Sequence, residues 1–234
     1  MTEELDGIFF DFGGTLVDTT VPREQIWSEV LLTHGHEVGR AAIAEALRAA
    51  DRDLDERFAS IQGNDERHFW LGYDKAVLTN LGIGLRAEDV VRDLSDSMGR
   101  MVMDDGNWMD FADAKPMLSG LGRVDVHVGL ISNATDLARR VLRRLDLEKY
   151  FDTVVISSEV GHRKPSKEIF DFALEESRIA SSRAIYIGDK PAVDVVGAAN
   201  AGMNAVLIDR GDLFPDSDCL RIKDLDSLKA FVRL

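Results

Sequence analysis

Residues 7–18 read GIFFDFGGTLVD, a short apolar run that stops at Asp11 and is followed by the paired glycines Gly13 and Gly14. A run of this length that ends abruptly at a carboxylate, with glycines after it, is typical of a buried strand leading into a loop. Residues 7–11 are therefore predicted to form the first strand, with Asp11 at its carboxyl end.

Four further short runs rich in apolar and β-branched residues occur later, at 126–132, 153–157, 184–189 and 204–209, and helical patterns separate them. Strands that alternate with helices in this way predict a parallel sheet with crossover helices. Because the runs are continuously apolar rather than alternating, helices are expected on both faces of the sheet. The predicted fold class is therefore α/β.

The segment between the first and second strands is too long for one crossover, and no stretch of it reads as a strand. Four helices are predicted in it, at 23–35, 38–59, 65–82 and 87–101. An all-helical cap domain is therefore expected at 19–107, inserted into a catalytic core formed by 1–18 and 108–234. Its polar borders, 18–21 and 105–110, are candidate hinges. Helices at 113–121 and 227–234 are predicted for the core.

The composition excludes several classes of protein. Forty-two acidic residues against 28 basic ones give a formal charge of −14, which would repel nucleic acid and anionic lipid. Cys219 is the single cysteine, so a disulfide framework is excluded and a reducing compartment, the cytoplasm, is expected. No apolar run approaches the length needed to span a bilayer, about 20 residues, and no export signal is recognisable.

The predicted strands end in residues that carry chemistry. In a parallel sheet the carboxyl ends of the strands meet at one edge, where ligands bind. Two carboxylates, hydroxyl groups, an amide and an ammonium are expected there, from Asp11, Ser132, Asn133, Ser157, Ser158, Lys164 and Asp189. Such groups can hold a divalent cation and a phosphoryl group. Singly, each has a plainer explanation, since aspartates often cap helices or turns and a lysine before proline is usually solvated.

Four sequence motifs, in order along the chain, resemble the signatures of the haloacid dehalogenase superfamily. They are DFGGTLVD from Asp11, the Ser132–Asn133 pair, Lys164 before a proline, and Gly188–Asp189 with Asp194, followed by GAANAGM at 197–203. The resemblance spans the core from Asp11 to Met203. It implies a Rossmann-like parallel sheet with strands in the order 5-4-1-2-3, and a helical cap inserted after the first signature.

The resemblance also implies a role for each residue. Asp11 would be the nucleophile that forms an aspartyl-phosphate, and Ser132 and Lys164 would bind the transferring oxyanion. The backbone N–H groups of Gly13, Gly14 and Asn133 would bind the same phosphate. Mg²⁺ would be held by Asp11, the Gly13 carbonyl, Asp189 and, through waters, Asp194. The Thr15 hydroxyl is a candidate only for tying down its own loop.

Gly13 departs from the family pattern. Most phosphatases of this superfamily have a second aspartate there, which protonates the leaving group and later activates water. A carbonyl ligand to the metal survives the change to glycine, but the general acid does not. Losing a placed proton donor typically costs about 10²–10⁴ in rate, and least when the leaving group is a weak base. Acyl, aryl and sugar 1-phosphates would tolerate the loss best.

We therefore expect an Mg²⁺-dependent phosphatase acting on a small soluble phosphomonoester, with the oligomeric state left open. Three alternatives remain: a phosphonate hydrolase with Lys75 as a Schiff base, a metal-free dehalogenase, and a non-catalytic binding or scaffold protein. Asp189 argues against a dehalogenase, because the resemblance implies that dehalogenases lack this Gly-Asp pair.

The helical segment offers aromatic and basic side chains as well. Its aromatic residues fall at helical spacing among aliphatic neighbours and are expected in its core: Trp27, Phe58, Phe69, Trp70 and Tyr73. Its basic candidates for contacting substrate are expected on solvated surfaces instead: Arg23, Arg67, His68 and Lys75.

Overall fold

The computed structural model describes residues 5–59, 66–84 and 88–230, without the side chains of 54–59 and 66–69. The chain divides into two compact units. Met1–Asp18 with Trp108–Leu234 is called the core unit below, and Thr19–Asn107 the helical unit.

The strands of the described residues are β1 (Gly7–Phe10), β2 (Val17–Thr19), β3 (Trp108–Asp110), β4 (His127–Ser132), β5 (Thr153–Ile156), β6 (Ala184–Gly188), β7 (Asn204–Ile208) and β8 (Arg221–Ile222). The α-helices are α1 (Arg23–Thr33), α2 (Arg40–Ala59), α3 (Glu66–Asn80), α4 (Glu88–Met103), α5 (Ala114–Leu121), α6 (Leu137–Arg144), α7 (Ser157–Val160), α8 (Lys167–Ser177) and α9 (Val196–Asn200).

The core unit is built on a parallel sheet in the order β5-β4-β1-β6-β7-β8. Phe10 of β1 pairs with Leu130 of β4 on one side and with Ile187 of β6 on the other. The α/β class and the predicted order of the five strands are therefore confirmed. The sequence missed β8, because two residues are too few to form a recognisable apolar run.

The central strand β1 is completely buried, as its continuous apolar sequence requires. Ile8, Phe9 and Phe10 have no exposed surface. Packing around Phe9 depends on Gly129 in β4, since a Cβ there would lie 2.2 Å from the Phe9 ring. β1 is therefore a fully packed interior strand of the sheet. The residue after β1 is held at the middle of the carboxyl edge.

The prediction that no strand lies between the first strand and 126–132 is wrong. Val17–Thr19 and Trp108–Asp110 form a separate two-stranded sheet. Each has three residues, of which one is an aspartate, so neither gives an apolar run that sequence periodicity could detect.

The helical unit has its own apolar core. Trp27, Leu31 and Leu47 are almost completely buried in it, together with residues of α3 and α4. Tyr73 is also buried, as predicted, but Trp70 is 42% exposed, so its predicted place in the core is wrong. Trp70 instead packs edge-on against the Tyr73 ring, with centroids 5.7 Å apart. The side chains of Phe58, Phe69, Arg67 and His68 lie outside the described residues.

Arg23 was expected on a solvated surface, and its side chain is 39% exposed, but its guanidinium is paired with other side chains. Its guanidinium donates to both carboxylate oxygens of Asp51, at 3.1 and 2.6 Å, and to the Tyr73 hydroxyl at 3.0 Å. Lys75 is exposed, as expected. At the other end of the chain, the predicted helix at 227–234 is a short 3₁₀ helix, Asp226–Ala230, and 231–234 lie outside the described residues. No helix within the described ranges is long and apolar enough to cross a membrane.

Candidate active site

Asp11 lies directly after β1, at the centre of the carboxyl edge of the sheet. Its backbone N–H donates to the Ile187 carbonyl at 2.8 Å, which extends the pairing with β6 by one residue. The residue is only 7% exposed. The loop that follows is closed by hydrogen bonds from the N–H groups of Leu16 and Val17 to the Phe12 carbonyl, at 2.9 and 3.1 Å.

The two glycines of this loop have different physical requirements. Gly14 has a φ of +76°, and a Cβ there would lie 2.4 Å from Oδ2 of Asp189. Gly13 lies outside the left-handed region, and a Cβ there would only contact the Trp108 ring, at 3.7 Å. The Gly14 N–H donates to the Val17 carbonyl at 2.9 Å, so a phosphate could take this N–H only by replacing that bond.

Lys164 is the buried cation of the site, with 2% of its surface exposed. Its ammonium donates to Oδ1 of Asp11 at 2.7 Å and to Oδ1 of Asp194 at 2.7 Å. Its third acceptor is the Tyr186 hydroxyl, at 2.8 Å. The sequence, which placed Lys164 merely beyond a strand end, did not reveal that it bridges two carboxylates.

Asn133 holds the backbone of Lys164. Its Oδ1 accepts the Lys164 N–H at 2.8 Å and its Nδ2 donates to the Lys164 carbonyl at 2.9 Å. Ser132, one residue earlier, is buried at the end of β4. Ser157 contacts Ala134, the residue that follows Asn133, because its hydroxyl accepts a hydrogen bond from the Ala134 N–H at 3.1 Å. The strand ends therefore come together as the motif order implied, with Ser157 as a support of the loop.

Asp11, Asp189 and Asp194 form a cluster in which one carboxylate oxygen of each lies within 4.8 Å of the others. Oδ1 of Asp189 is buried and has no hydrogen-bond partner among the described residues. Asp194 is fixed by the Lys190 N–H, which donates to its Oδ2 at 3.0 Å. A donor set made only of oxygens, with one left unsatisfied, fits a hard divalent cation such as Mg²⁺.

The electrostatics of the cluster also fit a cation. Burial raises the pKa of Asp11 and that of Asp189, the latter to about 7, and the negative charge of Asp194 adds to both. Burial alone would lower the pKa of Lys164, but the charges and hydrogen bonds of Asp11 and Asp194 outweigh it and raise the pKa. Lys164 therefore stays protonated, and a bound cation would favour the ionised form of the crowded carboxyls whose pKa values burial raises.

Sequence reasoning missed two residues that support the site. Tyr186 was passed over because it reads as one more apolar residue of a strand. Arg210, which follows β7, donates to the Thr15 carbonyl at 2.9 Å and to both oxygens of Asp113 at 2.9 Å. The loop is thus held through the carbonyl of Thr15, whose buried hydroxyl has no partner among the described residues.

Comparison with known proteins agrees with these features. The profile of the family described as haloacid dehalogenase-like hydrolase matches residues 5–202. Haloacid dehalogenase-like hydrolase domain-containing protein 3 of Xenopus laevis is 28% identical over 204 residues, which cover 86% of this chain and 83% of that one. Phosphoserine phosphatase of Thermus thermophilus is 38% identical over 120 residues, about half of each chain.

The fold is shared with a solved structure. The crystal structure of a HAD-hydrolase from Bacillus subtilis, bound to magnesium, matches with a TM-score of 0.70 at 17% identity, over 99% of this chain and 100% of that one. The resemblance carried by the four motifs is confirmed by the family profile, which spans all of them. The chain belongs to the haloacid dehalogenase-like hydrolase family, and it is a hydrolase.

Proposed function

We propose that the protein is a phosphatase that hydrolyses a small phosphomonoester through an aspartyl-phosphate at Asp11, with Mg²⁺ as cofactor. One observation carries the proposal. Buried Lys164 lies between Asp11 and Asp194, and Asp189 adds an unsatisfied oxygen at the same sheet edge. Phosphatase relatives, such as the phosphoserine phosphatase from Thermus thermophilus, support the same reaction class.

In the proposed reaction, an oxygen of Asp11 attacks phosphorus and the bond from phosphorus to the ester oxygen breaks. The leaving oxygen departs with the electron pair of that bond and takes a proton from solvent. A water molecule then attacks the phosphorus of the aspartyl-phosphate and gives up a proton to solvent, which releases inorganic phosphate and restores the Asp11 carboxylate. Ser132 would bind the oxyanion with the N–H groups of Gly13 and Asn133. The Lys164 ammonium would join them by exchanging its hydrogen bond to Asp11 for one to a phosphoryl oxygen.

The proposed metal ligands are Asp11, the Gly13 carbonyl, Asp189 and, through waters, Asp194. When bound, Mg²⁺ would neutralise charge on the phosphoryl oxygens and on the crowded carboxylates. No acid stands at position 13, so we propose substrates whose leaving groups need little protonation, such as acyl or aryl phosphates. We assign Thr19–Asn107 as the cap domain of this family and the remainder as its catalytic core.

The test is turnover of an aryl phosphate with Mg²⁺ by the purified protein. Asp11→Asn should abolish turnover, since the amide is a poor nucleophile of nearly the same shape. Asp209→Asn is the matched control, because Asp209 also follows a buried parallel strand at this edge. Within the described part of the chain, the Asp209 carboxylate accepts from the N–H groups of Leu213 and Phe214 and from the Arg221 guanidinium, none of which belongs to the proposed site, so its variant should keep the wild-type rate.

Two other outcomes would replace the proposal. Binding of inorganic phosphate without turnover of any ester in a broad panel, with several divalent metals, would indicate a non-catalytic binding protein. Release of halide from a 2-haloacid without added metal would indicate a dehalogenase.

A further inference from the structure

Tyr186, in the middle of β6, is completely buried, yet its hydroxyl lies among charged groups. The hydroxyl accepts a hydrogen bond from the Lys164 ammonium at 2.8 Å and donates to the Ile131 carbonyl at 2.9 Å. Oδ1 of Asp194 is farther away, at 3.4 Å. A phenolic hydroxyl has one hydrogen to donate and lone pairs that accept, so the carbonyl and the ammonium together satisfy it.

The position of this hydroxyl is fixed from two strands. Its ring belongs to β6, three residues before Asp189, and the carbonyl it binds belongs to β4, one residue before Ser132. The ammonium of Lys164 has three N–H donors, and the acceptors are Asp11, Asp194 and this hydroxyl. Tyr186 is the neutral acceptor of the three.

We propose that Tyr186 is a positioning residue that keeps the Lys164 ammonium at the reacting edge throughout the cycle; this rests on the proposed function. When Asp11 is phosphorylated, its carboxyl group loses its negative charge and attracts Lys164 less. The Tyr186 hydroxyl does not change charge at any step. It therefore holds the ammonium in one place while the charge around it moves to the phosphoryl oxygens.

The competing explanation is that Tyr186 only fills space in the core. Its ring packs edge-on against Phe170, with centroids 5.2 Å apart. Phe170→Leu would disturb this packing without touching the hydroxyl, so it is the matched control for a structural role. Tyr186→Phe removes the hydroxyl and keeps the ring.

The experiment is a double-mutant cycle of Tyr186→Phe with Lys164→Met, read by kcat and KM for an aryl phosphate and by the Kd of inorganic phosphate with Mg²⁺. Hydrogen bonds to charged groups imply that Tyr186→Phe lowers kcat about tenfold or more, with a smaller change in KM. With Lys164→Met present, Tyr186→Phe should have no further effect on kcat or Kd. Phe170→Leu should lower Tm and leave kcat within about twofold.

The proposal is overturned if Tyr186→Phe keeps the wild-type kcat, or lowers it equally in the Lys164→Met background. It is also overturned if Phe170→Leu lowers kcat as much. If the wild type binds phosphate but turns nothing over, the proposed function fails and the Kd cycle still decides the role of Tyr186. If the wild type neither turns over nor binds phosphate, both are wrong.

Discussion

Gly13 and Gly14 are neighbours in one loop, but only one of them has to be glycine for the fold. Gly14 combines a left-handed backbone with close approach to the Asp189 carboxylate, whereas Gly13 has ordinary backbone geometry and room for a Cβ. The absence of a carboxyl group at position 13 is therefore not forced by packing around its Cβ. The backbone at position 13 could carry an acidic side chain, but the sequence has a glycine there.

Gly14→Ala should lower the free energy of unfolding by about 2 kcal/mol or more, because the left-handed backbone and the clash with Asp189 both oppose a Cβ. Gly13→Ala is the matched control and should change it by only about 0.5 kcal/mol. Urea unfolding of both variants measures the difference. Equal losses would show that the loop geometry is not as described.

Gly13→Asp should speed the hydrolysis of alkyl phosphates about tenfold or more, because it supplies a proton donor for a strongly basic leaving group. Hydrolysis of aryl phosphates should change much less, since their leaving groups need little protonation. Gly13→Asn has the same shape without the acid and should not produce the gain. Equal effects of Asp and Asn on alkyl phosphates would contradict the missing-acid explanation.

At the scale of elements, Arg210 connects three parts of the core unit. It follows β7, binds Asp113 just before α5, and binds the Thr15 carbonyl in the loop after β1. Its guanidinium also lies 3.8 Å from the centre of the Phe111 ring. The loop that begins at Asp11 is thus held by a residue that follows β7, two strands away from β1 in the sheet.

Arg210→Met should lower kcat about tenfold or more, because a small displacement of the nucleophile loop is costly in rate. Arg221→Met is the control: Arg221 pairs with Asp209 and Asp212 at the end of the same strand but does not reach the loop. Both variants should lower Tm, and only Arg210→Met should lower kcat. Matching losses of kcat would reduce Arg210 to a general stabilising residue.

The sequence was sufficient where one physical signal dominates. Continuous apolar runs predicted β1 and the four other strands of the predicted order. Polar residues at the ends of these runs indicated Asp11 and Asp189. It failed where the signal is weak or depends on contacts distant in sequence. β2, β3 and β8 are too short to show a period, Tyr186 looks like any strand residue, and nothing local marks Arg210 as a partner of Thr15.

At the scale of the whole molecule, the excess of acidic residues extends to buried positions. Asp74 in α3 is 5% exposed, and burial raises its pKa to about 7. A carboxyl whose pKa is higher in the folded state binds more protons there than in the unfolded chain. This group therefore destabilises the fold increasingly as pH rises from about 4 through about 7.

Asp74→Asn should remove that pH dependence. At pH 8 the variant should be more stable than the wild type by up to about 4 kcal/mol, since each pKa unit is worth about 1.36 kcal/mol. Near pH 4 the two should differ little. Denaturant unfolding at several pH values measures this, with exposed Asp96→Asn as the control that should follow the wild type. A constant difference across pH would contradict the burial argument.

The central place of β1 also bears on how the chain folds as it is synthesised. β1 leaves the ribosome well before its partner strands, which begin at His127 and Ala184. The helical unit is continuous from Thr19 to Asn107 and has its own apolar core within that span, so it can form before β4 has been synthesised. Until β4 emerges, Ile8, Phe9 and Phe10 lack their native strand partners, and the growing chain exposes an apolar segment that can aggregate.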